Sequence, residues 1–524
     1  MIITQTDLAS ARIASGKAKT DGQILAELIS AHKADPARIK ALNGDRYCTG
    51  DQDIKNHDFT TSAVLDENDI AQTFKNLNAS NIRTQHRFLS NQIEQKVSYI
   101  AGKEPSVAVD GAEASNDGKT GNAEWLYQSE LTNSTDAKFR KLLLQWLRKA
   151  SKHGVAWLHE YKDKSGALRQ VVIGRDEGIP IYDTAHEQDL VEFIRWYSID
   201  VYVGGKAETR VKAEWWTDSQ VTYWIEASAS NFVLDPEHEI NPAPHYWEVT
   251  NVTGPDGVTW MEKSRTPKSW GRVPFIELSN NSDKINDLDP IKDLIDAYDL
   301  VASKGTNNLM DFNEFFAVVN GFGGDTAAAI MKKLQVNRAI AVKSTGGSIE
   351  MKQLDLQMEG RINWLQEIWD AIHVFGMAVD TTNDKLGSAP SGVSLKFQYT
   401  LLDLKANNMI VEAELAIKEH LRFISEELTR IIIRHVGDPE AIRVSCNKTM
   451  ITNDAETVNM IIQSDNLVPE RILLAAHPLV DDTDQAYKDL LAQRQEKIKL
   501  QRQMMPDYGT LTSDDGDDDG NTEP

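Results

Sequence analysis

The sequence predicts an α+β fold, mainly helical, and three observations carry that prediction. Stretches near residues 289–320, 357–379 and 395–435 place apolar residues at three-and-four spacing, the period of an amphipathic helix. Residues 155–280 instead show short alternating or continuous apolar runs broken by turn pairs, the pattern of strands. The length of 524 residues corresponds to about three or four domain-sized units, or to one large interlocked architecture.

Composition narrows the function classes. The apolar set AVILMFWYC makes up 41% of the chain, enough to exclude disorder throughout. Against 56 Lys and Arg stand 79 Asp and Glu, a net charge of −23, which opposes the broad basic footprint of a protein that grips phosphates. Residues 507–524 hold seven acids and no base and read as a disordered acidic tail, yet without them the chain still carries −16, so the folded surface is expected to be acidic too. Two cysteines, Cys48 and Cys446, far apart in sequence, give neither a disulfide framework nor a CxxC pattern and favour a reducing compartment. The opening MIITQTDLAS lacks the basic and apolar regions of a secretion signal, and no uncharged apolar run approaches the ~20 residues needed to cross a bilayer. Neither export nor a membrane partner is expected.

Taken in chain order, residues 1–120 look loosely built, with a short helix around Ile82 to Ile100 and a polar surface loop at 110–122. A helix is predicted over 123–152, with Phe139, Leu142, Leu143, Trp146 and Leu147 on one stripe and Gly154 as its stop. The strand region follows, in runs such as VAWLHEY, RQVVIG, LVEFIRWY, VTYWIE and HYWEVT. Ten of the twelve tryptophans lie between Trp125 and Trp270, as a strand core or as a surface for stacking sugars or bases.

Asp289 and Pro290 supply a cap and a first helical residue for a helix running to about Asn320, with Ile291, Leu294, Ile295, Tyr298 and Ala302 on one stripe. After GFGG at 321–324 a small α/β insert is expected: a helix near Ala327 to Leu334, then strands RAIAVK and SIEMKQL joined by STGGS. A helix from about Gln357 to Val379, the loop TTNDKLGSAPSG at 381–392, and a helix from about Leu395 to His435 complete the long elements. That last helix carries Ile417, Leu421, Ile424, Leu428 and Ile431 in register, and Gly437 stops it. Shorter helices are expected over Asp454 to Gln463, Glu470 to Ala476 and Asp484 to Met504, the last ending rich in Lys and Arg as the helix dipole favours.

Catalytic signatures do not emerge. There is no GxxxxGK[ST] to cradle phosphates, no HExxH, and no GxSxG elbow. Asp515, Asp517, Asp519 and Gly520 are spaced like the first half of a calcium loop, but its bidentate glutamate would fall beyond Pro524. The expectation is therefore a protein that is not an enzyme, without catalytic residues, cofactor or metal.

Four stretches, in matching order over roughly residues 80–500, resemble the portal proteins of bacteriophages with long, noncontractile tails. They are GVAWLHEYKDKSGALRQVVIGRDEGIPIYD at 154–183 with the following LVEFIRWY, and WGRVPFIELSNN at 270–281 leading into DLDPIKDLIDAYDLVASKGTNNLMDF at 287–312. SGVSLKFQYTLLDLKANN at 391–408 and VPERILLAAHPLVDDTDQAY at 468–487 complete the set. The resemblance does not extend to the first 80 residues or to the acidic tail.

This resemblance implies a portal-type ring subunit with wing, stem, clip and crown regions, long channel-lining helices and a β-rich wing. In this numbering it implies an N-terminal segment 1–80 without assignment, a wing at 81–286, stem helices at 287–320 and 357–380 and a clip at 321–356. A tunnel loop at 381–394, a long wing helix at 395–439, a crown at 440–506 and the tail at 507–524 follow. It implies a homo-oligomeric ring, usually a dodecamer, at one capsid vertex of the virion, assembled in the host cytoplasm. Double-stranded DNA would pass through it, and its partners would be the terminase, the head-completion adaptor and the major capsid or scaffolding protein. The packaging motor would be a separate chain.

Candidate tunnel-loop residues near DNA are Asn383, Asp384, Lys385, Leu386, Gly387, Ser388 and Lys396; candidate clip docking residues are Lys332, Lys333 and Asn337. An acidic bore would repel the duplex from every wall and let it slide. Lys385 and Lys396 would offer sparse, replaceable phosphate contacts, unless they are ordinary solvated side chains. Two other readings remain open on the sequence: a helical assembly scaffold without a channel, and a glycan-active enzyme built on the tryptophan-rich region with paired carboxylates.

Overall fold

Capping chemistry defines the first helices of the computed structural model. Strand β1 (Ile3–Thr4) and helix α1 (Gln5–Ile13) lead to α2 (Asp21–Ala34), where Thr20 and Gln23 form a reciprocal capping box. The Asp35 side chain accepts from the Ala37 amide and Pro36 takes the first position of α3 (Pro36–Thr49). The sequence reading of a loosely built start is corrected here: Ile24, Leu25, Ile29 and Tyr47 are buried, so these helices belong to the core.

The structure describes residues 3–13, 19–65, 71–75, 79–115, 120–185, 189–203, 206–253, 260–311, 316–320, 348–352, 358–382, 392–431, 437–449, 454–465, 467–480 and 483–504. The chain divides into two units, one of Met1–Thr381 with Gln398–Thr449, the other of Thr382–Phe397 with Met450–Pro524.

In the first unit, hairpin β2 (Thr61–Leu65) and β3 (Ala71–Lys75) precedes α4 (Phe88–Ala101) and β4 (Ser106–Val109). The helix expected over 123–152 is two helices, α5 (Ala123–Ser134) and α6 (Ala137–His153). The break has a local cause. Ser134 and Thr135 hydroxyls bond back to the carbonyls of Leu131 and Thr132, while Asp136 caps the amides of Lys138 and Phe139. Gly154 stops α6 as expected, at φ +81°, and a Cβ there would lie 2.1 Å from the Lys284 carbonyl oxygen.

Strands then dominate, as predicted: β5 (Val155–Lys162), β6 (Leu168–Gly174), β7 (Gly178–Tyr182), β8 (Leu190–Val203), β9 (Lys206–Trp216), β10 (Gln220–Ser228), β11 (Asn231–Leu234), β12 (Ala243–Pro244), β13 (Tyr246–Thr253), β14 (Trp260–Lys268) and β15 (Phe275–Ser279). Six of them join β1 in a seven-stranded sheet of order β1-β7-β8-β9-β10-β11 with β12 beside β10, a path that begins with the N-terminal strand running parallel to β7. A three-stranded sheet runs β15-β5-β6.

Alternation along the strands builds a core on each side of the larger sheet. Ile194 and Trp215 face a cluster with Ile24, Leu25 and Ile29 of α2; their neighbours Phe193 and Trp216 face Val155, Trp157, Ile173 and Phe275 of the smaller sheet. The tryptophan enrichment thus serves packing: Trp146, Trp157, Trp196, Trp215, Trp216 and Trp270 are all buried and form no stacking floor.

The long helices follow as α7 (Lys292–Asp311), α8 (Met358–Phe375) and α9 (Gly392–Ile431). The first was expected to reach Asn320 but ends at Asp311, and Phe316–Asn320 forms strand β16, paired antiparallel with β17 (Ser348–Lys352). Its run FAVVN is apolar and β-branched, as suits a strand. RAIAVK lies outside the described residues. Strand β18 (Ile442–Ser445) returns to pair with β4.

The second unit holds α10 (Asp454–Gln463), α11 (Glu470–Ala475) and α12 (Thr483–Met504), close to their predicted limits, with Arg494 of α12 paired to Glu470 of α11. Among the described residues no helix is long and apolar enough to cross a membrane.

Candidate functional site

Helices α7 and α8 run antiparallel: Tyr298 lies 6.2 Å from Trp369 ring to ring, and ten residues further along α7, Asn308 accepts from the Arg361 guanidinium at 2.7 and 3.1 Å. Phe88 of α4 plugs their junction, edge-on to Tyr298 at 5.1 Å and to Trp369 at 5.0 Å. The N-terminal end of α7 is tied to α3 and the turn after it, because Lys292 bonds both Asp53 at 2.7 Å and Asp296 at 2.6 Å, and the Tyr47 hydroxyl bonds Asp296.

Along its length α7 is zipped to an extended segment, residues 80–86, by side chains four residues apart. The amides of Ser80, Ile82, Thr84 and His86 donate to Asp311 at 2.8 Å, Asn307 at 2.7 Å, Ser303 at 2.9 Å and Asp299 at 3.0 Å. Asn307 and Ser303 also donate back to the carbonyls of Ile82 and Thr84, at 2.9 and 3.3 Å. Two periods make this possible. Four helical residues advance about 6.0 Å, and two extended residues, whose amides point the same way, advance about 6.6 Å. The helix thus offers segment 80–86 the hydrogen bonds a neighbouring strand would. Asp299 is fully buried; burial raises its carboxyl above the ordinary range, and the His86 ring, 2.7 Å away, only partly opposes that.

A second brace holds the end of α8. The Gly376 carbonyl accepts from Lys405 of α9 at 2.9 Å, Gln92 donates to the Ile372 carbonyl at 3.2 Å, and Gln95 exchanges two 3.1 Å bonds with Val379. A Cβ at Gly376 would sit 2.2 Å from the Gln92 side-chain oxygen, and the next residue, Met377, turns the chain at φ +51°. Thus α8 and the first residues beyond it are fixed to α4 and α9.

Behind this brace lies a buried ion pair. Lys96 of α4 reaches Asp287 at 2.5 Å and Asn280 at 2.6 Å; Asn280 donates to the other Asp287 oxygen at 2.9 Å, and Lys405 stands 3.4 Å from that same oxygen. Burial costs both ions. Lys96, with one anionic partner, is pushed down to about 8 by burial, whereas the charges of Lys405 and Lys96 outweigh burial at Asp287 and hold it at about 2. Helix α9 is seated on β5 by two further pairs, His420 with Glu160 at 2.5 Å and Lys162 with Glu427 at 2.6 Å.

The candidates read from the sequence fall elsewhere. Asn383, Asp384, Lys385, Leu386, Gly387 and Ser388 lie outside the described residues, as do Lys332, Lys333 and Asn337; Lys396 lies on the first turns of α9. The bracing residues Asp299, Ser303, Asn307, Gln92, Gln95, Lys96, Asp287 and Lys405 were not anticipated. The four-residue spacing of Asp299, Ser303, Asn307 and Asp311 was the one available signal.

Nor did the sequence bring Asp45, His153 and Asp176 together, whose ligand atoms lie within 4.8 Å of one another. Two ammonium groups already serve these carboxylates, Lys149 at 3.2 Å and Lys152 at 3.4 Å from Asp45, so the arrangement is an ion-pair network joining α3, α6 and the β6–β7 turn.

Comparison with known proteins assigns this architecture to a class. The family described as "Phage portal protein, SPP1 Gp6-like" matches residues 26–500, and the chain belongs to that family. Its members build the ring-shaped channel of the capsid, a component of the virion. The portal protein of Bacillus phage SPP1 is 26% identical over 507 residues, covering 96% of this chain and 91% of that protein. The portal protein of Clostridium phage phiCD119 is 26% identical over 451 residues, 83% of this chain and 89% of the relative. The likeness therefore begins well before residue 80, taking in most of α2 and all of α3, which the sequence reading had left outside it.

Proposed function

We propose that the chain forms a dodecameric portal at one capsid vertex, in which α7 and α8 are the stem helices beside the DNA. Residues 81–286 are then the wing, 321–356 the clip, 381–394 the tunnel loop, 395–439 the long wing helix and 440–506 the crown. The terminase docks on the clip during packaging in the host cytoplasm, the head-completion adaptor replaces it there, and capsid or scaffolding protein meets the wing.

The observation that carries this reading is the double bracing of the α7–α8 pair, together with the charge it presents. A helix beside a moving duplex must keep its axial position under load, and directional bonds at fixed spacing resist sliding where apolar contact alone would not. Among the described residues of the pair, the exposed charged side chains are Glu359 and Glu367 on α8 and Asp293, Lys304 and Asp311 on α7, four acids against one base. Such a surface repels phosphates and lets DNA pass. Lys385 and Lys396 add replaceable contacts from the tunnel loop and the start of the wing helix.

The test is native mass measurement with negative-stain imaging of the purified full-length protein. Rings with a central hole wide enough for duplex DNA are expected; monomers or open helical assemblies would overturn the reading in favour of a scaffold without a channel. Charge reversal at Lys332 and Lys333 should slow packaging by the terminase, and an unchanged rate would remove both from the docking surface.

A further inference from the structure

Helix α9 has two apolar faces, and the fold uses one. Leu402, Ala406, Met409, Ala413, Ala416 and Ile417 are buried within the first unit. From Leu401 to Leu415, the exposed positions of the helix are Leu401, Leu404, Asn408, Val411 and Leu415, at spacings of three and four residues. None is charged, although 26% of the chain is, and the four apolar side chains are between 37% and 62% exposed. A solvent face would invert this composition. The spacing is that of a coiled-coil seam with a single polar residue, the device that fixes register between packed helices.

We infer that this stripe is the seam between neighbouring copies of the chain, and that it is covered by the Trp364–Phe375 edge of α8 in the next copy. The inference rests on the ring proposed above and names its contact. A closed ring needs a head-to-tail interface made of two different patches on each subunit. Helix α8 supplies the second: Trp364 and Phe375 are 57% and 62% exposed, and at about 100° per residue they project within roughly 20° of one another.

The lengths agree, since 401–415 spans about 21 Å and 364–375 about 16 Å of helix axis. Glu359, Asn363 and Gln366 project from a different sector of α8, and Glu367 lies between that sector and the Trp364–Phe375 edge, about 60° from Trp364, so one edge can meet a neighbour while another faces the channel. The two aromatic residues would remove roughly 200 Å² from water, well short of the ~800 Å² per partner of a stable pair. The seam alone cannot hold two copies together, so isolated dimers should be rare and closed rings favoured.

The full-length protein is compared with its L404D/V411D variant by native mass measurement and circular dichroism. Loss of the ring species, with helical signal and melting temperature retained, is expected; rings from the variant at wild-type concentration would overturn the seam. Absence of rings from the wild type would instead sink the portal reading itself. Should the variant misfold, mixing chains carrying Val411→Cys with chains carrying Phe375→Cys under mild oxidation decides the matter. Covalent pairs between the two kinds of chain are expected, whereas V411C chains that cross-link only to one another would replace the head-to-tail seam with a two-fold one.

Discussion

The β-rich layers and the α7–α8 pair both contain aromatic packing, Phe88 against Tyr298 and Trp369 in the second, but they differ in what fixes their position. In the layers, Phe193, Trp216, Trp157 and Phe275 pack face and edge, with Phe193 and Phe275 stacked at 3.9 Å, a contact that rewards burial and tolerates small shifts. Around the helices, the contacts that fix position are polar: four amides of segment 80–86 on four side chains of α7, and one buried lysine on one aspartate. Apolar packing supplies most of the free energy, while hydrogen bonds with fixed partners determine which residue lies opposite which. A part that must keep its height beside a moving polymer calls for the second kind.

That contrast can be broken most directly in the sheets. Trp157→Ala should cost ~4 kcal/mol, read as a lowered denaturant midpoint by tryptophan fluorescence, and a loss below ~1 kcal/mol would mean that the aromatic layer is not the main store of stability. Lys96→Met comes next at ~3 kcal/mol, because it leaves Asp287 buried with the Asn280 amide and, as its one remaining cation, Lys405 at 3.4 Å. Adding Asp287→Leu to it should recover much of that loss, which a purely apolar role for Lys96 would not allow.

Acid titration sharpens the same point. Asp287 falls from 3.8 to about 2 on folding, so its contribution is present above the unfolded value and is lost as the pH drops through the folded one. The stability gap between wild type and Asp287→Asn should therefore narrow between pH 4 and pH 2; a gap that stays constant would show that the carboxylate's charge is immaterial. The smallest effect is expected from Ser303→Ala, ~1 kcal/mol, with faster hydrogen exchange at the Thr84 amide and little change in the sheets. Unchanged exchange at Thr84 would dismiss the zipper.

Much of the first kind of structure was legible in the sequence, and little of the second. Strand runs and helix stripes were visible because burial selects residue types at a fixed period, as for Phe139, Trp146 and Leu147 in α6. The tryptophans allowed two readings because the same rings serve a core and a binding floor; only their burial separates them. The end of α7 was misplaced because FAVVN continues an apolar pattern whose strand partner, Ser348–Lys352, is remote in sequence. The zipper was hidden because Asp299, Ser303 and Asn307 look like an ordinary polar face, and their partners are backbone groups, which carry no sequence signal. Lys96 was overlooked since a lone lysine within a helix is usually solvated.

The zipper also carries its own length limit. Its two rulers disagree by about 0.6 Å per step, so, like a vernier, they coincide over a short reach and drift apart beyond it. After five or six steps the drift would be about 3 Å, as long as the bond itself. Four teeth thus lie near the most that a straight helix and an extended chain can mesh, and lengthening either one would uncouple the last tooth before it strengthened the grip.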